Sequence, residues 1–380
     1  MQLDMHYYGV YVLARLAGLG GDTARVIAYA SQYVDDAVED VVESHASGAM
    51  VVAVETAHLV LEGENFSLRS QREVWVPFHF LPGNLGHSFH ERLVCRKDSA
   101  LAQAMLRYHL GHAGAEFAPH LVGVAAHVYA DSFSHHGFSG VSSPLNRIRQ
   151  KSLREYTTDE GIREYIKEKR HSFREKYGRG RRRRDLFPGW GHLEAVLGGW
   201  LAEEAAQVLS HGALGHAAAY TYPDRPYLRW RFRYEYQSSQ ARPQVRDNPA
   251  DFLEACQKLH AWFTAFARRR PELQDPAARR EFGGISGAVA EVLALEGTQE
   301  ERILAWEEAL GMGELNPKLK GEDIPPYRRE DWDHLRRSFP DHQQPEDIVD
   351  SEVYRFYQAA GLHREYVLHK LLPAAGLVVH

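Results

Sequence analysis

Cysteine is nearly absent. Cys95 and Cys256 are the two in 380 residues, too few and too isolated for a disulfide framework or a Cys-type zinc site, and each reads as a small buried apolar residue. Long hydrophobic runs are missing too: no stretch reaches the roughly 18 apolar residues that a membrane-spanning helix needs. The chain has no excess of positive charge. Its 45 Lys and Arg against 51 Asp and Glu leave a net charge of −6, which argues against a generic nucleic-acid binder. The opening "MQLDMHYYGVYVLARLAG" lacks a basic lead and meets charges at Asp4 and Arg15. It does not read as a secretory signal, so a cytoplasmic location is expected. With 44% hydrophobic and 25% charged residues, the composition is that of a soluble globular protein.

What stands out is histidine, with 22 copies; it is the commonest metal ligand and a proton carrier near neutral pH. Most of the chain has helical period. "YYGVYVLARLAGL" predicts a short apolar helix closed by Gly20 and Gly21, and "DTARVIAYASQYVDDAVEDVVES" a second that starts at Asp22. Residues 47–82 break the habit: "AMVVAVETAHLVL" and "REVWVPFHFL", with "EGEN" between, predict a small β-hairpin. Further helices are expected in "DSALAQAMLRYHLGH", from Pro119 onward, over the charged stretch 157–177 and in "WGHLEAVLGGWLAEEAAQVLSHGALGH". "GRGRRRRD" reads as a loop. The expected architecture is mainly α, a multi-helix bundle with a hairpin insertion: a metal-binding body over residues 1–225 and a helical C-terminal part, 226–380, packed on it or continuous with it.

The chemistry gathers in "GVAAHVYADSFSHHGFSG", residues 123–140. On an α-helix His127, Asp131 and His135 drift only about 40° per step, so they share a face, with neighbours roughly 6 Å apart and the outer pair about 12 Å. An i, i+4 pair can close on one ion, whereas the outer histidines are too far apart to share one. Asp131, midway and with two oxygens, suits a bridge between ions about 3.5–4 Å apart. Small residues at 123, 125, 126 and 130 allow close approach of a neighbouring helix. Elsewhere, Asp4 and His6 open the chain. Asp35 and Asp36 sit side by side in an apolar helix, where burying both charged without a cation would cost several kcal/mol each. His79 lies in the apolar "VPFHFLPG". The plainer alternative is that one acid faces water while the other pairs with an arginine, and that His79 is a core residue bonded to a carbonyl.

The opening D-x-H-Y-Y-G and the later "ASQYVDD" resemble an uncharacterised bacterial family that shares them over nearly the whole chain. The order of candidate ligands also resembles the zinc-dependent phospholipase C and P1/S1 nuclease superfamily, which is all-α and binds three zinc ions. On that resemblance His6 corresponds to the early histidine, Asp35 to the aspartate after a helix and His79 to the histidine of an H-Y/F element. His127 and Asp131 correspond to the central H-x3-D, with His135 or His136 next. The superfamily's N-terminal tryptophan has no counterpart, so Asp4 would stand in for it, and the final H-x3-D/E has no copy. The resemblance implies one to three divalent ions, zinc by analogy. Asp35, His79, His127 and Asp131 would hold one; Asp4, His6 and Asp131 a second; His135 or His136 with His192 or His216 a third. Asp36 would act as general base or orient a ligand.

The implied function is hydrolysis of a phosphate ester, of a small molecule or lipid-like, by metal-bound hydroxide. A helical protein with a structural or non-hydrolytic metal site, and a metal-free interaction module, are the alternatives.

Overall fold

The computed structural model describes residues 1–57, 71–177, 219, 221–341 and 344–379. A π-helical segment, Asp4–Gly9, passes directly into α1, Val10–Leu16, and every residue of both is buried. The turn after α1 uses Gly18, at φ +95°, and leads to α2, Gly21–Asp36. Ala24, Ile27, Ala28, Ser31 and Val34 give α2 a buried stripe at three- and four-residue spacing. The helix ends earlier than its pattern predicts. Ala37 leaves the helical region at ψ 81°, and its carbonyl accepts the amides of Thr56 and Ala57. Asp35 and Asp36 therefore occupy the last turn, not the middle, of a helix.

The expected hairpin exists but lies further towards the N-terminus. Met50–Val52 (β2) pairs antiparallel with Val42–Ser44 (β1), Glu43 opposite Val51. "REVWVPFHFL" is not a strand: Gln71–Trp75 is π-helical and Val76–Phe78 (α3) α-helical. Val74, Val76 and Phe78 are buried as one compact turn, so packing overrides the strand preference of β-branched and aromatic residues.

Ala100–Gly111 (α4) and Ala118–Ser134 (α5) follow. All of α5 except Pro119 is buried, and it packs against α2, α3, α4 and the later helices α7, Asn248–Arg269, and α10, Glu352–Tyr366. Gly123 is where α5 meets α2. A Cβ there would stand 2.3 Å from the Ile27 carbonyl oxygen and 2.7 Å from the Ala30 Cβ. Between α5 and α7 the chain forms an antiparallel sheet of β3, Arg154–Tyr156, β4, Arg229–Phe232, and β5, Gln244–Asp247, in that order. Trp230, Phe232, Tyr222 and Phe138 build a small second core around it. The exposed helix expected near 157–177 is α6, Glu160–Tyr177, and Asp159 caps it by accepting the Ile162 amide. Next to α10, the C-terminal part adds α8, Gln299–Gly311, and α9, Arg329–Arg337. The main hydrophobic core draws on residues from Met1 to Val379. No helix among the described residues is long and apolar enough to cross a membrane.

His109 and His363 form a buried pair. His363 lies with Nδ1 2.9 Å from His109 Nε2 and donates from Nε2 to the Pro77 carbonyl at 2.9 Å. The pair ties α4 and α10 to α3.

Two outcomes follow from this packing. Gly123→Ala drives a methyl into the α2 backbone and should lose about 1–3 kcal/mol in urea denaturation. Gly361→Ala, in α10 with nothing near its added Cβ, should be neutral or gain up to about 1 kcal/mol; equal effects would sever Gly123 from the α2–α5 contact. Burial pushes the His363 pKa down to about 4. Its contribution to stability is complete above the unfolded value of about 6.5 and is lost as pH falls from there towards 4, about 3 kcal/mol in all. Denaturation curves across that window should be flatter for His363→Gln; an unchanged slope assigns the titration to other groups.

Candidate metal centre

The C-terminal half of α5 turns His127 and Asp131 towards the end of α2, the π-helical opening segment and the residue that follows α3, His79. Asp131 is 1% exposed. Its Oδ1 lies 2.5 Å from the Met1 amine and 3.2 Å from His6 Nε2. Its Oδ2 lies 3.2 Å from His127 Nε2, 3.3 Å from His79 Nδ1 and 3.5 Å from His135 Nδ1. Asp35 Oδ1 stands 3.8 Å from both His79 Nδ1 and His127 Nε2. Two ligand triads result, His6–His127–Asp131 and Asp35–His79–His127, each with its donor atoms within 4.8 Å of one another. They share His127, whose ring stacks on His6 at 3.9 Å.

The far side of each imidazole decides what its near side can do. His127 Nδ1 donates to the Ser31 carbonyl at 2.8 Å, and His79 Nε2 to the Thr56 carbonyl at 2.9 Å. With those protons assigned by the hydrogen-bond network, His127 Nε2 and His79 Nδ1 carry lone pairs. They face each other at 3.2 Å and face carboxylate oxygens of Asp131 and Asp35. Four potential ligand groups therefore converge, and the nearby Met1 amine already donates to one of them, Asp131. Such a buried arrangement calls for positive charge, and backbone carbonyls that fix the tautomer are what metal-binding histidines use. His135 repeats the pattern: Nδ1 donates to the His79 carbonyl at 2.9 Å, and Nε2 faces Asp224 Oδ1 at 3.1 Å. Neither ring nitrogen of His6 has a hydrogen bond. Asp35 also lies at the negative end of the α2 dipole.

The electrostatics divide the imidazoles: His6 is held neutral, whereas the carboxylates around His79 favour a proton on it, a place that a cation can take. Burial, with the adjacent His127 and the Met1 amine, pushes His6 down to about 3 and keeps it neutral. Burial opposes charge on Asp131, yet His135, the Met1 amine, His127 and His6 hold it well below the ordinary carboxylate range. Burial would lower His79, but its hydrogen bond to Asp131 and the charge of Asp35 raise it. Burial pulls the Met1 amine down, and Asp131, Asp224 and Asp35 more than offset that, taking it up to about 10.

The structure thus brings together His6, Asp35, His79, His127, Asp131 and His135. Asp4 lies apart: its carboxylate is held by the buried Arg302, Nε to Oδ2 at 2.7 Å, which also binds Gln2. The Met1 amine, not Asp4, faces Asp131. His136 turns away to Asp251, 3.0 Å from Nε2. The side chain of Asp36 is engaged by the Tyr327 hydroxyl at 2.7 Å and by Gln32 at 3.2 Å, and burial raises its pKa. His192, His216 and the arginine-rich loop lie outside the described residues. Sequence reasoning missed the Met1 nitrogen and gave Asp224 no place in the ligand set; the proline-flanked "YPDRPY" was its one signal.

The family model for DUF6765, a family of unknown function, matches residues 1–371. The chain belongs to DUF6765. No curated protein and no solved structure matches it, so for this DUF6765 chain the geometry carries the functional argument.

Asp4 and His6 separate cleanly by variant. Asp4→Asn strands half of a buried ion pair and should lower the melting temperature while leaving the divalent-metal content of the purified protein unchanged. His6→Ala should lower that content. Metal loss in Asp4→Asn at intact fold would return Asp4 to the ligand set.

Proposed function

We propose that the protein is a metal-dependent hydrolase of phosphate esters, built on the ligand order of the zinc-dependent phospholipase C and P1/S1 nuclease superfamily. The observation that carries the reading is the convergence of four ligand groups: His79, His127 and Asp131, which are buried, and Asp35 at the accessible edge. The donor set of imidazole nitrogens and carboxylate oxygens suits zinc or a similar divalent ion. Asp35, His79, His127 and Asp131 would hold one ion; His6 and Asp131, beside the Met1 nitrogen, a second; His135 and Asp224 offer a place for a third. Divalent ions held this way lower the pKa of bound water towards neutrality and stabilise charge on a phosphoryl oxygen.

The protein's own groups set the arrangement. Ser31, Thr56 and His79 contribute the carbonyls that hold three imidazoles in their ligand tautomers. Asp131 presents Oδ1 to His6 and Oδ2 to His79 and His127. Asp36, bonded to Tyr327, anchors the end of α2 and so the position of Asp35; this supports the orienting role over that of general base. The Asp35 side chain is 34% exposed, which gives the centre a face that water and substrate can reach. A structural ion is the second reading, favoured for the inner triad by the complete burial of His6 and Asp131.

Elemental analysis of protein purified without chelator should find divalent metal at one or more equivalents. Asp131→Asn should lose more than one equivalent, and His127→Ala should abolish metal-dependent hydrolysis of a chromogenic phosphodiester. Absence of stoichiometric metal from the wild-type protein would end the proposal; metal without hydrolysis of any phosphate ester would leave the structural reading.

A further inference from the structure

Five arginines of the described chain are buried: Arg15, Arg225, Arg246, Arg302 and Arg336. Four have carboxylates. Arg15 binds Glu322 and Asp275, Arg302 binds Asp4, Arg336 binds Glu39 and Glu43, and Arg246 lies 3.8 Å from Asp251. Arg246 also caps α5 by donating to the Ser134 and His136 carbonyls. Arg225 differs. It is 2% exposed, yet among the described residues its guanidinium meets no carboxylate. It donates only to two neutral hydroxyls, Tyr227 at 3.2 Å and Thr221 at 3.1 Å, with the Tyr165 ring 5.1 Å below. Its Nε has no hydrogen-bond partner. A buried lone cation is costly unless an anion meets it, and guanidinium is the side chain best matched to phosphate oxygens.

The position of this unmatched cation bears on the metal centre. Arg225 directly follows Asp224, whose Oδ1 lies 3.1 Å from His135 Nε2 and 3.5 Å from the Met1 amine. On its other side Tyr227 lies under Arg302, 5.6 Å from the ring centre, and Arg302 grips Gln2 and Asp4. Segment 224–227 therefore runs alongside the chain's opening residues, next to the metal centre. The two acids nearest along these segments are engaged elsewhere: Asp224 faces His135, and Asp4 is bound by Arg302.

We propose that Arg225 anchors an oxyanion of a phosphate group beside the metal centre, with the Tyr227 and Thr221 hydroxyls holding its guanidinium in place. The inference rests on the metal-centre reading for its link to hydrolysis, but the anion site stands on its own geometry. The substrate class it selects is one with a phosphate carrying at least one free anionic oxygen, as in a monoester or diester.

The test is isothermal titration of inorganic phosphate into the full-length protein, as purified and after chelation, with metal content measured in parallel. Wild type should bind phosphate. Arg225→Gln should weaken binding at least about tenfold, the loss of a charged hydrogen bond, with metal content unchanged, and Arg225→Lys should recover part of the affinity. Absence of phosphate binding in wild type, or an equal Kd in Arg225→Gln, overturns the anion site whatever the variants do to folding. Arg225-dependent phosphate binding in protein that proves to hold no metal keeps the anion site and removes the hydrolase reading. Stoichiometric metal with Arg225-independent phosphate binding does the reverse.

Discussion

One carboxylate organises this molecule. Asp131 lies on a helix buried at every residue but one, where a charge has almost no water to lean on, and it is surrounded by nitrogen atoms from three separate stretches of chain: the Met1–His6 opening, His79, and α5 with its cap, through His127 and His135. Interior charges persist only when matched and well bonded. Here the matching groups are themselves locked from behind, by the carbonyls of Ser31, Thr56 and His79. The interaction therefore couples the end of α2, the segment after the hairpin, α3 and α5 into one unit. None of these elements can move without disturbing a bond that another element depends on.

Around that unit the remaining chain acts as a brace. The α2–α5 contact closes to backbone distance at Gly123. Arg302, from α8, fixes the opening segment through Gln2 and Asp4. Tyr327 holds Asp36, Tyr33 donates to Asp333, and Arg336 of α9 binds Glu39 and Glu43 beyond the end of α2. The C-terminal part provides few candidate ligands but many of the contacts that keep the ligand-bearing elements in register. Its aromatic residues, Trp332 and Phe356 among them, pack on Tyr29 and Tyr33.

Much of this was legible in the residue pattern, for definite reasons. Helical spacing put His127 and Asp131 on one face, small residues marked the close helix contact, and two adjacent acids in an apolar helix flagged a site of charge compensation. The mainly α class follows from the same periodicity. What could not be read depended on chain ends and packing. α5 stops at Ser134, so His135 sits at its cap and turns back towards Asp131, whereas His136 is carried off to Asp251; a helix continued through both would have hidden this difference. Asp4 looked like a ligand because its partner is Arg302, 298 residues away, a distance that no local pattern reports. "REVWVPFHFL" carries strand-forming residues that become one buried turn because three of their side chains fit between helices.

For ions bound as proposed, the unequal enclosure of the two carboxylates would impose an order on traffic. Asp35 stands at an accessible edge, while Asp131 and His6 lie behind it with His127 as the common wall. An ion bound at the back would have to arrive and depart past the outer ligands, so occupancy of the front position would slow exchange at the rear. Loading would then be sequential and release last-in, first-out, a kinetic asymmetry set by where one helix happens to end.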